Sequence, residues 1–200
     1  MTLVLHAYSN ERLEEQQETL EQLVEIKRIW GDRVISQFCN DTDDYWATLL
    51  RIWGKDDLII VEQDVVATPL HILSLAACSR FACAYPYRLR AGQLSIWDMI
   101  DDLKHGEFRE YIPDYYEIAL PTFCDGTSLG LTKLTTVAQK LVPLWKYDVE
   151  KYKWWYLDSF ISWHLYKHSQ KIHIHLPEVK HNRKNELEVK IGDQSIFLTE

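Results

Sequence analysis

Leu58-Ile59-Ile60-Val61 is an unbroken apolar run that stops at Glu62-Gln63-Asp64. Four apolar residues in succession suit a strand covered on both faces. Residues two apart on an extended chain project to the same side, so Glu62 and Asp64 can face one site. Carboxylate oxygens are the ligands preferred by Mg²⁺ and Mn²⁺, which commonly take one or two of them together with substrate phosphates. The chemistry this allows is capture of a diphosphate through a divalent cation. The plainer alternative is a pair of solvated acids at the start of a loop.

A third acid closes Trp154-Trp155-Tyr156-Leu157-Asp158, inside an aromatic-rich helical stretch. Desolvation raises a carboxyl pKa, and such a carboxylate is suited to take a proton from a hydroxyl. A helix N-terminal acid or a structural ion pair is the other reading of Asp158. Trp154 and Trp155 are neighbours on a helix and cannot both face the core, so one of them can stack on a sugar ring; simple packing is the alternative. Asp125-Gly126-Thr127-Ser128-Leu129-Gly130 reads as a loop whose glycines let the backbone approach a ligand closely, or as an ordinary turn.

The histidines gather late, at positions 164, 168, 173, 175 and 181. His173 and His175 share one strand face, a zinc-like pair, but the sequence sets no cysteine or third histidine beside them. Cys39, Cys78, Cys83 and Cys124 lack zinc-ligand spacing and read as buried free thiols. A disulfide involving Cys39, Cys83 or Cys124 stays open for a hyperthermophilic source. Lys180, Arg183 and Lys184 supply local positive charge of the kind that assists a leaving diphosphate.

Positioning these groups falls to an alternating series of elements. Thr2–Tyr8 reads as a strand, and a helix follows from Ser9 or Asn10 to Gly31. Arg33–Cys39 is a strand, 40–44 a polar turn, Tyr45–Trp53 a helix and Leu58–Val61 a strand. Pro69–Ser79 is a helix with proline in its first turn, and Phe81–Tyr87 a strand. Such alternation implies parallel strands joined by right-handed crossovers. Beyond residue 90 the pattern predicts helices at Ser95–Leu103, Thr132–Leu141 and Tyr152–His168, and strands at Glu117–Phe123 and Ile172–Leu176. Residues 186–198 read as a terminal hairpin turning at Gly192-Asp193. The expected architecture is α/β: a single domain over residues 1–185 with a mixed, mostly parallel central sheet flanked by helices, plus a C-terminal extension over 186–200.

The chain of 200 residues has a formal net charge of −8 and is 46% hydrophobic. That length allows a sizeable core without staples. An acidic surface repels a phosphate backbone, which disfavours nucleic acid as partner. No apolar run reaches the roughly 18–20 residues of a membrane span, and no signal peptide is legible. The expected location is cytoplasmic, within a host cell for a viral source.

Residues 58–66 resemble the strand and acidic Asp-x-Asp motif of GT-A nucleotide-sugar glycosyltransferases, with Glu62 at the first acidic position. His6-Ala7-Tyr8-Ser9-Asn10-Glu11 is similar to the opening strand and turn of family 2 members, and small virus-encoded enzymes of this fold have comparable length. The resemblance runs in order through about residues 2–90 and more loosely through 117–181. It implies a GT-A (Rossmann-like) fold and a hexosyltransferase-like enzyme. A sugar would pass from a UDP- or GDP-sugar donor, with Mn²⁺ or Mg²⁺, to a hydroxyl of a glycan, protein or lipid acceptor. By that resemblance Tyr8 and Asp41 touch the nucleoside, and Glu62 the ribose or the cation shell. Asp64 and His181 hold the metal, the latter by its place in Pro177-Glu178-Val179-Lys180-His181-Asn182. Asp158 is the base of an inverting transfer, and Gly130 belongs to the acceptor side with Trp154 and Trp155. A nucleotidyltransferase is the competing enzyme class, but the turn after the first strand lacks the glycine- and basic-rich phosphate loop. A non-catalytic carbohydrate-binding or virion-associated protein with a degenerate transferase fold is the other alternative.

Overall fold

A computed structural model describes residues 1–8, 13–39, 42–89, 92–99, 114–116, 120–152, 156–181, 186–191 and 194–199. The apolar runs form the sheet as expected. β1 (Thr2–Tyr8) lies between β2 (Val34–Phe38) and β3 (Asp57–Glu62), parallel to both, with Val4 opposite Val34 and Ile59. β4 (Ala82–Ala84) and β10 (Ile172–Ile174) pair in parallel further along. Between β3 and β4 lies β9 (Leu131–Leu134), antiparallel to each. β7 (Phe123–Cys124) closes one edge, antiparallel to β10. The order β2-β1-β3-β9-β4-β10-β7 gives a seven-stranded sheet. Five strands run one way and two run the other, so the sheet is mixed and mostly parallel.

Helices cover both faces because successive strand residues point to opposite sides. On one face α1 (Leu13–Trp30) and α3 (Pro69–Ala77) pack Leu23, Ile26, Trp30, Ile72 and Leu75 onto Val4, Ile59, Val61 and Leu131. On the other, α2 (Thr42–Ile52), α4 (Thr136–Leu141) and α6 (Leu157–Lys167) set Leu49, Ala138, Phe160 and Leu165 on Leu5, Leu58, Ile60 and Leu134. Each fully buried Leu or Ile contributes about 1.5–3 kcal/mol. Thr68 caps α3: its hydroxyl accepts from the His71 N–H while His71 Nδ1 accepts from the Thr68 N–H. Among the described residues no helix is long and apolar enough to cross a membrane.

Several expectations are corrected. Leu131–Leu134 is a strand, not the start of a helix, and α4 begins only after Thr135 caps the Ala138 N–H. Lys133 makes the segment look polar, yet it is buried and its Nζ donates to the Ala76 and Cys78 carbonyls, 3.1 and 2.6 Å away. Ile96–Asp98, expected in a helix, is strand β5 of a small sheet with β6 (Asp114–Tyr115) and β8 (Gly126–Thr127). β8 in turn occupies part of the expected 125–130 loop. Its glycine is required there, because a Cβ on Gly126 would collide with the buried Trp97 ring. The expected 117–123 strand is reduced to β7, with 117–119 outside the described residues. The 152–168 helix is divided into α5 (Val149–Tyr152) and α6. Helix α2 starts at Thr42 within the expected polar turn, where Asp43 and Asp44 favour the positive end of a helix. Cys78 and Cys83, read as free thiols, come within bonding distance of each other where the end of α3 lies over β4, whereas Cys39 and Cys124 are buried and outside that pair. Strands β11 (Glu186–Ile191) and β12 (Gln194–Thr199) form the expected hairpin.

One buried amide ties the layers together. Gln139 donates from Nε2 to the Asp56 and Leu134 carbonyls, 2.8 Å each, and accepts from the Gly54 N–H at 2.6 Å. Gln139→Leu leaves three backbone groups unpaired. A stability loss of about 3 kcal/mol is expected, equivalent to a fall of roughly 6–12 °C in melting temperature for this size. A thermal melt showing a fall of less than about 2 °C would contradict this accounting.

Candidate active site

Parallel strands deliver their carboxyl ends to one edge of a sheet, where ligands bind in α/β folds. At that edge β3 ends in Glu62, in register with Ala7 and next to Tyr8 at the end of β1. The chain then turns: the Val65 N–H donates to the Glu62 carbonyl at 3.1 Å, and the Val66 N–H to the Lys180 carbonyl at 3.0 Å. A bridge between Val65 and His181 holds the segment after β10 against this turn. Upstream, the His175 N–H donates to the Ala84 carbonyl and the Val179 N–H to the Pro86 carbonyl, both bonds following the end of β4. Residues 64 and 181 are thereby drawn together.

Asp64 Oδ2 lies 3.2 Å from His181 Nε2, and both side chains are nearly buried. His181 Nδ1 is 2.8 Å from the Arg88 carbonyl oxygen. A carbonyl has no proton to give, so Nδ1 must carry the hydrogen. Nε2 of the neutral ring then presents a lone pair to a carboxylate. That contact requires a proton or a cation between the two groups.

Tyr87 organises the rest. Its ring packs on His181 with centroids 4.8 Å apart. Burial, and then the charges of Glu62, Asp64 and Asp158, hold its phenol far above the usual range. All three carboxylates therefore act on one hydroxyl. Ser128 adjoins both Tyr87 and Asp158. Tyr45 donates to Glu62 Oε1 at 3.1 Å. Asp158 stands in the first turn of α6, where the Ser159 N–H donates to its Oδ1 at 2.6 Å. Burial outweighs these stabilising hydrogen bonds and pushes its carboxyl up to about 6.

Glu62, Asp64, Asp158 and His181 thus converge, and Tyr8 lies on the same sheet edge. Gly130 is there too: its carbonyl accepts from the Glu62 N–H at 2.9 Å. A Cβ on Gly130 would meet Tyr87 at 2.6 Å and Val65 at 2.7 Å, which gives this glycine a packing role beneath the cluster. Lys180, read as free charge, is ion-paired with Glu18 of α1. Asp41, Trp154, Trp155, Arg183 and Lys184 lie outside the described residues. Sequence reading missed Tyr45, Tyr87 and Ser128. For Tyr87 a signal existed: it follows the apolar β4 run, just as Glu62 closes β3.

Asp64 and His181 offer an oxygen and a nitrogen donor 3.2 Å apart, donor types that Mn²⁺ or Mg²⁺ accepts.

No protein-family model and no curated protein matches the chain. Among solved structures, it is similar to the crystal structure of A197 from STIV, with a TM-score of 0.52 and 13% identity over 99% of this chain and 95% of that one. At that identity the likeness speaks for the fold alone: a mixed α/β domain with a mostly parallel, Rossmann-like sheet flanked by helices.

Proposed function

We propose that this protein is a metal-dependent glycosyltransferase that moves a sugar from a nucleotide-diphosphate sugar to an acceptor hydroxyl. The observation that carries the reading is the gathering of Glu62, Asp64, Asp158 and His181 around Tyr87 at the carboxyl ends of the parallel strands. Asp64 and His181 hold Mn²⁺ or Mg²⁺, and Glu62 completes the cation shell or binds the donor ribose. The bound cation supplies counter-charge to the diphosphate as it leaves. Asp158 takes the proton of the acceptor hydroxyl, whose oxygen bonds to the anomeric carbon as the bond to the diphosphate breaks. Its raised pKa makes it a stronger base than an ordinary carboxylate while leaving it mostly ionised at neutral pH. The Ser159 N–H and hydroxyl, both donating to Oδ1, fix that carboxylate in place. Tyr8 and Asp41 bind the nucleoside, and Gly130, Trp154 and Trp155 form the acceptor side; these roles rest on the sequence resemblance.

A thermal-shift screen of UDP-, GDP- and CMP-sugars, with and without Mn²⁺, tests the reading. One donor is expected to stabilise the protein only with the cation present. At a hundredfold excess over its dissociation constant the gain is about 2.7 kcal/mol, or roughly 5–11 °C. Glycan binding indifferent to chelator, with no response to any donor, would instead mark a non-catalytic carbohydrate-binding protein.

A further inference from the structure

Away from the sheet edge that holds Asp64, a second group of ligating side chains lies between α3 and the β4–β10 pair. Cys83 of β4 is opposite His173 of β10, and His175, two residues on, lies on the same side. Cys78 is the C-cap of α3, directly above them. One ligand atom from each of Cys78, Cys83, His173 and His175 falls within 4.8 Å of all the others. We propose that these four residues form a closed structural site for a borderline-soft divalent cation, Zn²⁺, independent of the donor-binding cation and of the transferase reading.

Three observations support a metal over a simple cross-link. The Cα atoms of Cys78 and Cys83 are 7.1 Å apart, beyond the usual disulfide range of about 4.4–6.8 Å. Cys78 Sγ lies 3.7 Å from His173 Nδ1, close to the edge of a tetrahedron built with bonds of about 2.0–2.3 Å. His175 Nδ1 is 3.1 Å from the Ser74 hydroxyl, while its Nε2 is buried with no hydrogen-bond partner among the described residues. Metal-bound histidines commonly donate their second ring N–H to an orienting group, which leaves the other nitrogen free for the ion. Ser74 fits that part.

Two thiolates and two neutral imidazoles around a dication make a neutral, tetrahedral Cys₂His₂ shell with no open position, the composition typical of structural zinc. The cysteines follow a C-x₄-C spacing, which that chemistry accepts. The histidines depart from the usual helical spacing because strand alternation, not a helix turn, brings them to one side. Lys133 is in register with Cys83 on its other flank and donates to the Cys78 carbonyl, fixing the backbone of the first ligand. A cation here pins the end of α3 to β10, whose continuation carries His181 to Asp64.

The test is the metal and thiol content of the full chain, purified under reducing conditions without chelator. About one zinc per chain is expected, surviving gel filtration, with all four cysteines reactive after denaturation. Exchange into Co²⁺ is expected to produce the intense visible bands of a tetrahedral thiolate site in the wild-type protein. This readout does not depend on whether a variant folds. Cys83→Ser and His173→Ala are expected to lose the zinc, whereas Asp64→Ala keeps it. A zinc-free protein overturns the proposal, whether its mass lacks two hydrogens because Cys78 and Cys83 are oxidised or its four thiols are simply free.

Discussion

Asp64→Ala is expected to reduce cation-dependent turnover of the nucleotide sugar by about 10³-fold, the scale seen when one pre-organised charge-stabilising group is removed. Asp64 is 7% exposed and faces His181 across 3.2 Å. Its removal deletes the proposed anionic ligand, while His181 retains its contact with the Arg88 carbonyl. The fold should therefore survive, with far-ultraviolet circular dichroism unchanged. His181→Ala should act on the same step. If the two side chains share one cation, the double variant is barely worse than the more damaged single one. Initial rates at saturating Mn²⁺ decide the matter. Turnover in Asp64→Ala within about tenfold of wild type would remove this residue from the chemistry.

Asp158→Asn is expected to separate activity from stability. On the proposed base role, its loss costs about 10²–10⁴-fold in kcat. In the wild type kcat should rise with pH through about 6, because the working form is the carboxylate; that rise should vanish in the asparagine variant. Stability moves the other way. The folded pKa lies above the ordinary value of 3.8, so folding favours the protonated acid. The ionised form costs nothing below about pH 4, increasingly destabilises the protein between about 4 and 6, and is fully felt above that. An asparagine side chain carries no charge, so the variant should be about 1–2 kcal/mol more stable than wild type at pH 8 and little different at pH 4. Urea melts at the two pH values read this directly. A variant destabilised at pH 8 would mean that Asp158 serves mainly to hold the start of α6.

Much of this arrangement is legible along the chain, for a physical reason. The run from Leu58 to Val61 is apolar throughout because both faces of β3 are covered, and its abrupt end announces the edge where Glu62 and Asp64 stand. The alternation of the first ninety residues likewise follows from local patterning. What stays hidden depends on sheet order. Thr132–Leu134 reads as the start of a helix because Lys133 interrupts the apolar run, and the carbonyls at the end of α3 make a buried lysine tolerable there. The partnership of Cys83 with His173 spans ninety positions and exists only because β10 takes its place beside β4. Ser128 could not have been chosen from its loop, since its importance comes from touching Tyr87 and Asp158, both remote in sequence.

The reversed strand β9 has a consequence for how the molecule comes into being. β3 and β4 are not hydrogen-bonded neighbours; residues 131–134 pair with both and lie between them. Without residues 131–134, β3 and β4 would each present a bare backbone edge. Such edges are templates for association with neighbouring chains, and closing them waits on a long-range pairing that is intrinsically slow to form. In the finished sheet β9 closes both edges, and the residue just before it, Gly130, lies against Tyr87 and accepts from the Glu62 N–H.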